Sequence, residues 1–241
     1  MSGHSKWNNI KHKKEKADAA KAKIFTKIGK EMAVAIKVGG PDPNNNSKLR
    51  DLIAKAKANN VPNDNIQRTI KKFTDNGDIN FEEIVYEGYG PSGVAIIVET
   101  QTDNRNRTAG NVRAAFSKYG GNLGQNGCVG YLFEQKGVIT IVDEDEEIDE
   151  DKIMEDALEA GAEDIKCDEG EYTIYTASED LDTVRDAIIA LGYQINTADL
   201  AKVPSTYVEL TSEEDIANME KMLDKFNEDD DVNAVYHNWD A

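Results

Sequence analysis

The sequence of 241 residues contains 39% hydrophobic residues, 18 glycines and five prolines, and its formal net charge is −18. This composition is typical of a globular protein and argues against a disordered chain. No apolar run approaches the ~18–20 residues that a membrane-spanning helix needs, and the N-terminus lacks the apolar segment of a secretory signal. The sequence therefore predicts a globular protein that neither spans a membrane nor is secreted.

Charge divides the chain into two parts. Residues 1–75 hold 17 Lys and Arg against seven Asp and Glu, a net charge of +10, whereas the rest hold 11 against 39, a net charge of −28. A strongly basic segment on a strongly acidic body indicates a polyanionic partner. Cys128 and Cys167 lie far apart and outside any CxxC pair. Because this is typical of free thiols in a reducing cytosol, we expect a cytoplasmic protein.

The first predicted element is a lysine-rich helix with one apolar side. Phe25, Ile28, Met32, Ala35 and Ile36 recur at helical spacing. Almost no acid is available at i±4 on the opposite side, so each lysine there repels the next by on the order of a few tenths of a kcal/mol. This self-repulsion favours a phosphate-binding face over an ordinary solvated one. The lysines of this face are Lys16, Lys23, Lys27 and Lys30.

Upstream of this helix, a basic arm extends the predicted nucleic-acid surface. His4 and His12 are interpreted as polar contacts and not as metal ligands, because no zinc-type spacing accompanies them. Trp7 has two interpretations: it stacks on an exposed base, or it fills the core of a helical bundle. The arm contributes His4, Lys6, Trp7, Lys11, Lys13 and Lys14 to the predicted nucleic-acid contacts.

Two further helices complete a basic helical domain over residues 1–76. Asn46 or Ser47 can cap the second helix, which follows a loop rich in Gly, Pro and Asn. A third, short helix begins near Pro62 and exposes Arg68, Lys71 and Lys72. Three helices with short links predict a small bundle. The turn-forming residues at 74–77 mark its end.

The remainder of the chain predicts a mixed α+β structure. Period-two alternation predicts strands at 83–89 and 93–102, followed by a helix over 105–119. The glycine-rich stretch 120–127 follows that helix and precedes a predicted strand at 129–135. A phosphate loop instead follows a strand and opens a helix, so we expect this stretch to be a turn with positive φ angles.

Two arginines at the start of the 105–119 helix have two interpretations. Asp103 or Asn104 is the expected N-cap. Arg105 and Arg107 then lie in the first turn, where cations oppose the helix dipole by ~0.3–1 kcal/mol. A helix N-terminus with two arginines is suited to a phosphate, and Arg105 and Arg107 join the predicted nucleic-acid contacts on that basis. Alternatively, both pair with carboxylates of the acidic body.

Residues 137–202 are predicted to form a strand–helix–strand–strand–helix–strand unit, the ferredoxin-like order. Its predicted strands are 138–142, 164–167, 171–176 and 193–200, and its helices are 150–160 and 182–191. The elements before residue 137 and those after residue 202 each read as strand–helix–strand. Each set is predicted to supply one half of a second α+β domain. The predicted domains are a helical one at 1–76, a discontinuous α+β one at 77–136 plus 203–241, and an acidic ferredoxin-like insertion at 137–202.

The sequence gives no sign of a metal, a cofactor or an enzyme. The acidic runs at 143–151 and 229–231 lack the glycine and the spacing of a calcium loop, so we interpret them as solvated surface. The three histidines are accompanied by no nucleophile elbow, zinc spacing or phosphate loop. We therefore expect a protein that is not an enzyme and carries no cofactor.

Several motifs in order along the chain closely resemble the YebC family. They are GHSKWNNIK at 3–11, KIFTK at 23–27, GGPDP at 39–43, AKAKANNVP at 54–62, DNI at 64–66, YEGYGP at 86–91, TDNRNRT at 102–108 and GGNLG at 120–124. The resemblance implies three domains: a helical one, then an α+β one interrupted by a ferredoxin-like one. It implies a cytoplasmic, DNA-binding transcriptional regulator. The family also includes the mitochondrial translational activator of cytochrome oxidase, and some bacterial members resemble ribosome-associated factors that relieve stalling on proline-rich stretches.

The predicted function is that of a nucleic-acid-binding regulator of gene expression. Lysine side chains contact phosphate and carry no base information, so these residues do not separate promoter DNA from ribosomal RNA as the partner. In the translational interpretation the ribosome is a further partner. The alternative is an acidic protein-interaction module, which would hold a basic partner without binding nucleic acid.

Overall fold

The structure, a computed structural model, describes residues 17–75, 81–143, 148–168 and 170–240, with side chains from residue 25 onward. It confirms the predicted α+β class and the helical N-terminal region. By their contacts the described residues form two compact units. The first is drawn from 13–128 and 212–235, and the second from 129–211 and 236–240. Seven predicted contacts lie outside the described residues: His4, Lys6, Trp7, Lys11, Lys13, Lys14 and Lys16.

Three helices come first in the described chain, and pairs of strands then alternate with single helices. The helices are α1 (Ala17–Gly39), α2 (Ser47–Ala58), α3 (Asn63–Asp75), α4 (Arg105–Lys118), α5 (Glu150–Glu159), α6 (Leu181–Ala190) and α7 (Glu213–Glu228). The strands are β1 (Glu82–Tyr89), β2 (Ala95–Thr102), β3 (Asn122–Leu123), β4 (Phe133–Val142), β5 (Asp164–Asp168), β6 (Glu171–Ala177), β7 (Thr197–Pro204), β8 (Val208–Glu209), β9 (Val232–His237) and β10 (Trp239–Asp240). Short 3-10 turns occupy Pro91–Gly93 and Gly130–Leu132.

Helices α1, α2 and α3 form the bundle, and α1 buries the apolar stripe that its sequence predicts. Ile28 and Met32 expose only 1% and 0% of their surface. They pack with Leu49 and Leu52 of α2 and with Ile66 of α3 in a core built from bundle residues. Truncating one such side chain to alanine costs ~2–5 kcal/mol. The bundle therefore has a hydrophobic core of its own.

Asn46 is the N-cap of α2 and fixes the turn that connects it to α1. Its Oδ1 accepts a hydrogen bond from the backbone N–H of Leu49 at 3.0 Å. Its Nδ2 donates to the carbonyl oxygens of Ala35 and Gly40, both at 2.8 Å. Of the two predicted caps, Asn46 is confirmed. Capping bonds of this kind stabilise a helix by ~0.5–2 kcal/mol, and here one side chain also closes the loop.

The first unit continues into a four-stranded sheet with the order β3-β1-β2-β9. The first residues of β2, Ala95–Val98, are fully buried. Phe116 of α4 and Phe226 of α7 meet with their ring centroids 5.3 Å apart. Gly88 in β1 permits the approach of β3, because a Cβ at that position would lie 2.5 Å from the carbonyl oxygen of Asn122. In the predicted glycine-rich turn, Gly120 and Gly127 adopt positive φ.

The second unit contains an antiparallel sheet with the order β5-β6-β4-β7. Its core joins sheet residues to α5 and α6 through Ile139, Ile141, Ile153, Ile174 and Ile188. The element order β4-α5-β5-β6-α6-β7 is the predicted strand–helix–strand–strand–helix–strand order. Strands β8 and β10 form a separate parallel pair.

Two predicted strands are wrong in position. The strand predicted at 129–135 is a 3-10 turn that leads into β4, which runs unbroken from Phe133 to Val142. The strand predicted at 193–200 is β7, which begins at Thr197. Strand β4 pairs with β7 from Phe133 to Thr140, so ladder hydrogen bonds carry it through Gly137, which lay between the strands predicted at 129–135 and 138–142. The predicted domain edges near 136 and 203 fall inside these two strands, and the three-domain division stays a prediction.

Candidate nucleic-acid interface

The lysine-rich side of α1 is only partly as predicted. Lys23 lies in α1, with its side chain outside the described part, and Lys27 is half-buried. Lys30, predicted to be a phosphate contact on an exposed face, has a side chain that is only 14% exposed. Its Nζ donates to Oδ1 of Asp231 at 2.7 Å and to the carbonyl oxygen of Asp230 at 2.8 Å, and it lies 5.7 Å from the ring centroid of Phe81. Lys30 therefore has acceptors within the protein.

Asp231 is the centre of a buried polar cluster that joins α1, α4 and the loop between α7 and β9. Its side chain is 5% exposed. Oδ2 accepts hydrogen bonds from Nη2 of Arg107 at 2.6 Å and Nε at 3.2 Å. The hydroxyls of Thr102 and Thr108 donate to the same oxygen at 3.1 and 2.9 Å. With Lys30 on Oδ1, both carboxylate oxygens are satisfied, as a buried charge requires.

The pKa of Asp231 reflects this environment. Burial by itself would raise the pKa, but hydrogen bonds from Lys30, Arg107 and Thr108 more than offset it and hold the pKa at about 2, below the ordinary 3.8. A carboxyl whose pKa is lower in the folded state than in the unfolded state stabilises the fold above the unfolded value. The contribution of Asp231 is thus fully present above about pH 4 and is lost as the pH falls towards 2.

The two arginines of α4 have different surroundings. Asn104 is the N-cap, because its Oδ1 accepts from the backbone N–H of Arg107 at 3.0 Å. Arg107 pairs with Asp231 and with Asp103, whose Oδ1 lies 2.9 Å from Nη2. These two carboxylates raise the pKa of Arg107. For Arg107 the carboxylate interpretation is therefore the one observed, whereas Arg105 lies exposed in the first turn.

The sequence analysis missed the role of Asp231. The run 229–231 was interpreted as solvated surface, yet Asp231 is among the most buried polar residues of the described chain. Its partners lie 123–201 residues away in sequence, so neither spacing nor period signals them.

Further basic residues are exposed on α2 and α3. They belong to the same positively charged bundle, and the sequence analysis noted only those of α3. Lys48, on α2, approaches Glu83 at 3.7 Å, but both side chains are more than half exposed, so that pair contributes little. The exposed basic residues of the two helices are Lys48, Arg50, Lys55, Lys57, Arg68, Lys71 and Lys72.

A cavity of about 450 Å³ lies beside the Asp231 cluster, between α4 and the C-terminal end of α7. Its lining carries both signs of charge, because Arg107, Lys118 and Lys225 contribute to it together with the acids of 228–231. In the described part of the chain, no three His, Cys, Asp or Glu side chains are placed to hold a metal ion. No helix there is long and apolar enough to cross a bilayer.

These features define a class of protein in which a basic three-helix bundle precedes an acidic α+β region. The chain belongs to the TACO1/YebC family. Residues 5–76 match the model of the TACO1/YebC N-terminal domain, and residues 81–239 match the model of the TACO1/YebC second and third domain. Together these matches cover nearly the whole chain, and they confirm the resemblance read from the sequence motifs.

Relatives are similar over their full length. A protein of Agathobacter rectalis, named a probable transcriptional regulatory protein, is 56% identical over 241 residues, which is 100% of both chains. A protein of Lachnoclostridium phytofermentans with the same name is 54% identical, also over 100% of both chains. The crystal structure of a conserved hypothetical protein from Aquifex aeolicus has a TM-score of 0.84 and 44% identity, covering 96% of this chain and 95% of that one.

Proposed function

We propose that this protein is a nucleic-acid-binding regulator of gene expression that contacts phosphate groups through its basic helical bundle. The observation that carries the proposal is the separation of charge, +10 over residues 1–75 against −28 over the rest. Such a basic surface attracts a polyanion at long range and holds it by phosphate contacts. The regulatory names of the relatives support the same role.

The proposed contacts are the lysines of α1 and the basic arm before it. Lys16, Lys23 and Lys27 follow one another in the sequence at helical spacing, on the lysine-rich side predicted for the first helix. Lys30 and Arg107 are left out of the resting interface, because Asp231 already holds both. Amines and guanidinium groups on phosphate fix position and do not read sequence, so binding should be weakly sequence-specific.

The proposed target is promoter DNA in a transcriptional role or ribosomal RNA in a translational one. In-cell ultraviolet crosslinking, followed by sequencing of the bound nucleic acid, separates the two. Promoter fragments would support transcription, and ribosomal RNA would support a ribosome-associated role, including relief of stalling on proline-rich stretches. If a chain without residues 1–75 keeps the regulatory activity, the acidic protein-interaction alternative replaces this proposal.

The direct test replaces Lys16, Lys23 and Lys27 together with glutamine. Glutamine has nearly the helix propensity of lysine, so the bundle should stay folded. Each lost phosphate contact reduces the slope of log affinity against log salt by ~0.9 on duplex DNA or ~0.7 on a single strand. We expect the slope to fall by about two to three units and binding to weaken on all sequences alike. Affinity for duplex DNA and structured RNA is measured at several salt concentrations.

A matched control changes the same amount of charge elsewhere. Lys152, Lys221 and Lys225 are exposed on α5 and α7, outside the bundle, and their replacement with glutamine also removes three positive charges. This control should keep nearly the wild-type slope. Circular dichroism reports whether each variant keeps its helices. A folded triple variant of α1 that binds as tightly and with the same slope as the control would refute the proposed interface.

A further inference from the structure

The loop between α7 and β9 brings an acidic segment to the end of the lysine-rich face of α1. Lys30 follows Lys27 by three positions and Lys23 by seven, so it continues the same face by about one turn. It is bound there by Asp231 Oδ1 at 2.7 Å and by the carbonyl oxygen of Asp230 at 2.8 Å. The lysine face thus ends against groups of the protein that accept hydrogen bonds as a phosphate would.

The donors around Asp231 are of the kinds that bind phosphate oxygens. Oδ2 of Asp231 accepts hydrogen bonds from two N–H groups of an arginine and from two threonine hydroxyls. Oδ1 accepts a hydrogen bond from a lysine. Arginine forks, hydroxyls and lysines are common phosphate ligands in nucleic-acid complexes. Arg107 remains 47% exposed and lines the neighbouring cavity, so its guanidinium lies within reach of the surface.

We infer that Asp231 is an intramolecular competitor of nucleic-acid phosphate, an autoinhibitory carboxylate that withholds Lys30 and Arg107 from the interface. The inference rests on the proposed function, because it concerns the extent of the same basic surface. While Asp231 holds both cations, a polyanion contacts α1 only up to Lys27. The neighbouring Asp229 and Asp230 repel any part of the polyanion that extends beyond Lys27. When the carboxylate charge is removed, the surface gains one or two phosphate contacts.

The experiment compares Asp231→Asn with Asp230→Asn in the full chain. Both variants remove one negative charge from the same loop, but Asp230 contacts Lys30 through its backbone carbonyl, which Asn keeps. We expect D231N to bind duplex DNA and structured RNA several-fold more tightly than D230N at low salt. Its slope against log salt should be steeper by about 0.7–1.8, corresponding to one or two added contacts. Equal affinity and slope for D231N and D230N, or weaker binding by D231N, would overturn the inference.

Lys30 provides a second test, and its arm in the wild-type background does not depend on the folding of D231N. Because Lys30 is withheld, Lys30→Gln should leave the wild-type affinity and slope unchanged, whereas in the D231N background it should remove one unit-charge contact, or about 0.7–0.9 of slope. The inference would be refuted if K30Q alone lost as much affinity and slope as the triple lysine variant loses for each lysine. If the triple variant weakens binding while D231N matches D230N, this inference fails and the proposed function stands. A triple variant that binds normally refutes both.

Discussion

At the scale of single residues, Glu171 is the carboxylate whose environment is least favourable among those described. It begins β6, directly opposite Asp168 of β5. Its Oε1 is buried and finds no hydrogen-bond partner among the described residues. Burial, and then the negative charge of Asp168, raise the pKa of Glu171 from 4.5 to about 7. The folded protein therefore binds a proton at Glu171 more tightly than the unfolded chain does.

The upward direction of this pKa shift determines how the stability contributed by Glu171 depends on pH. Between pH 4.5 and 7 the folded state holds a proton that the unfolded state has lost, so stability falls as the pH rises through this window. Glu171→Gln should abolish that fall. We expect the variant to match the wild type near pH 4 and to be more stable by about 1–2 kcal/mol at pH 8, a value reduced for solvent screening because Glu171 is only half-buried. Denaturant unfolding across this range measures the difference.

Glu155, an exposed glutamate on α5, supplies the control. Glu155→Gln makes the same chemical change without relieving a buried charge, so its effect should be small and nearly independent of pH. A Glu171→Gln variant whose stability runs parallel to the wild type from pH 4 to 8 would show that Glu171 ionises in the fold as it does in the unfolded chain.

Residues whose hydrogen-bond partners are close in sequence could be predicted, and residues whose partners are far away in sequence could not. Asn46 and Asn104 were both among the predicted caps, because a capping side chain bonds to a backbone N–H three residues away. Asp231 was misjudged, because its partners on α1 and α4 become neighbours only in the fold. The position of Lys30 was missed for the same reason.

At the scale of elements, the first turn of α4 contains two arginines that should respond oppositely to substitution. Arg105→Gln removes an exposed cation from a helix N-terminus and should raise stability by about 0.3–1 kcal/mol. Arg107→Gln removes two hydrogen bonds to the buried Asp231 and should lower stability, because the carboxylate then loses its closest donor. Thermal and urea unfolding of the two single variants gives both differences.

The two variants control each other, because each makes the same substitution within one turn of one helix. Equal effects of R105Q and R107Q, in either direction, would contradict the view that Asp231 selects Arg107 and leaves Arg105 to the solvent. A stabilising Arg107→Gln would show that the dipole conflict outweighs the ion pair at that position.

Helices were easier to predict than strands, for a physical reason that β4 illustrates. The period of α1 is contained within its own residues, so its buried face could be read directly from the sequence. The first half of β4 is polar, and the strands predicted at 129–135 and 138–142 left Gly137 between them. Its hydrogen bonds to β7 hold it extended, and a Cβ on Gly137 would lie 2.2 Å from Oγ1 of Thr176, so the glycine is needed for close packing. Such partners are remote in sequence.

At the scale of the whole molecule, the basic bundle and the acidic remainder have separate means of stabilisation. The bundle core is formed by residues between Ile28 and Phe73. Polar side-chain contacts join it to the rest of the first unit, chiefly Lys30 with Asp231 and the more exposed Lys48 with Glu83. Buried ion pairs hold two parts in register without supplying a hydrophobic core. We therefore expect that the bundle can be removed without opening the apolar core of the sheet.

The last prediction follows from this arrangement. A chain that begins at residue 77 should unfold in one cooperative transition for each remaining compact unit, at a lower temperature than the full-length protein. The loss has a specific origin, because Asp231 then keeps Arg107, Thr102 and Thr108 but lacks Lys30. Asp231→Asn should accordingly cost less stability in the shortened chain than in the full chain, and Lys30→Gln in the full chain should account for the difference. Calorimetry of the five proteins measures this: the full chain, its D231N and K30Q variants, the shortened chain and its D231N variant. A shortened chain without a cooperative transition would show that the bundle is part of one core with the sheet. An equal loss of stability on Asp231→Asn in both chains would show that Lys30 does not stabilise the Asp231 carboxylate.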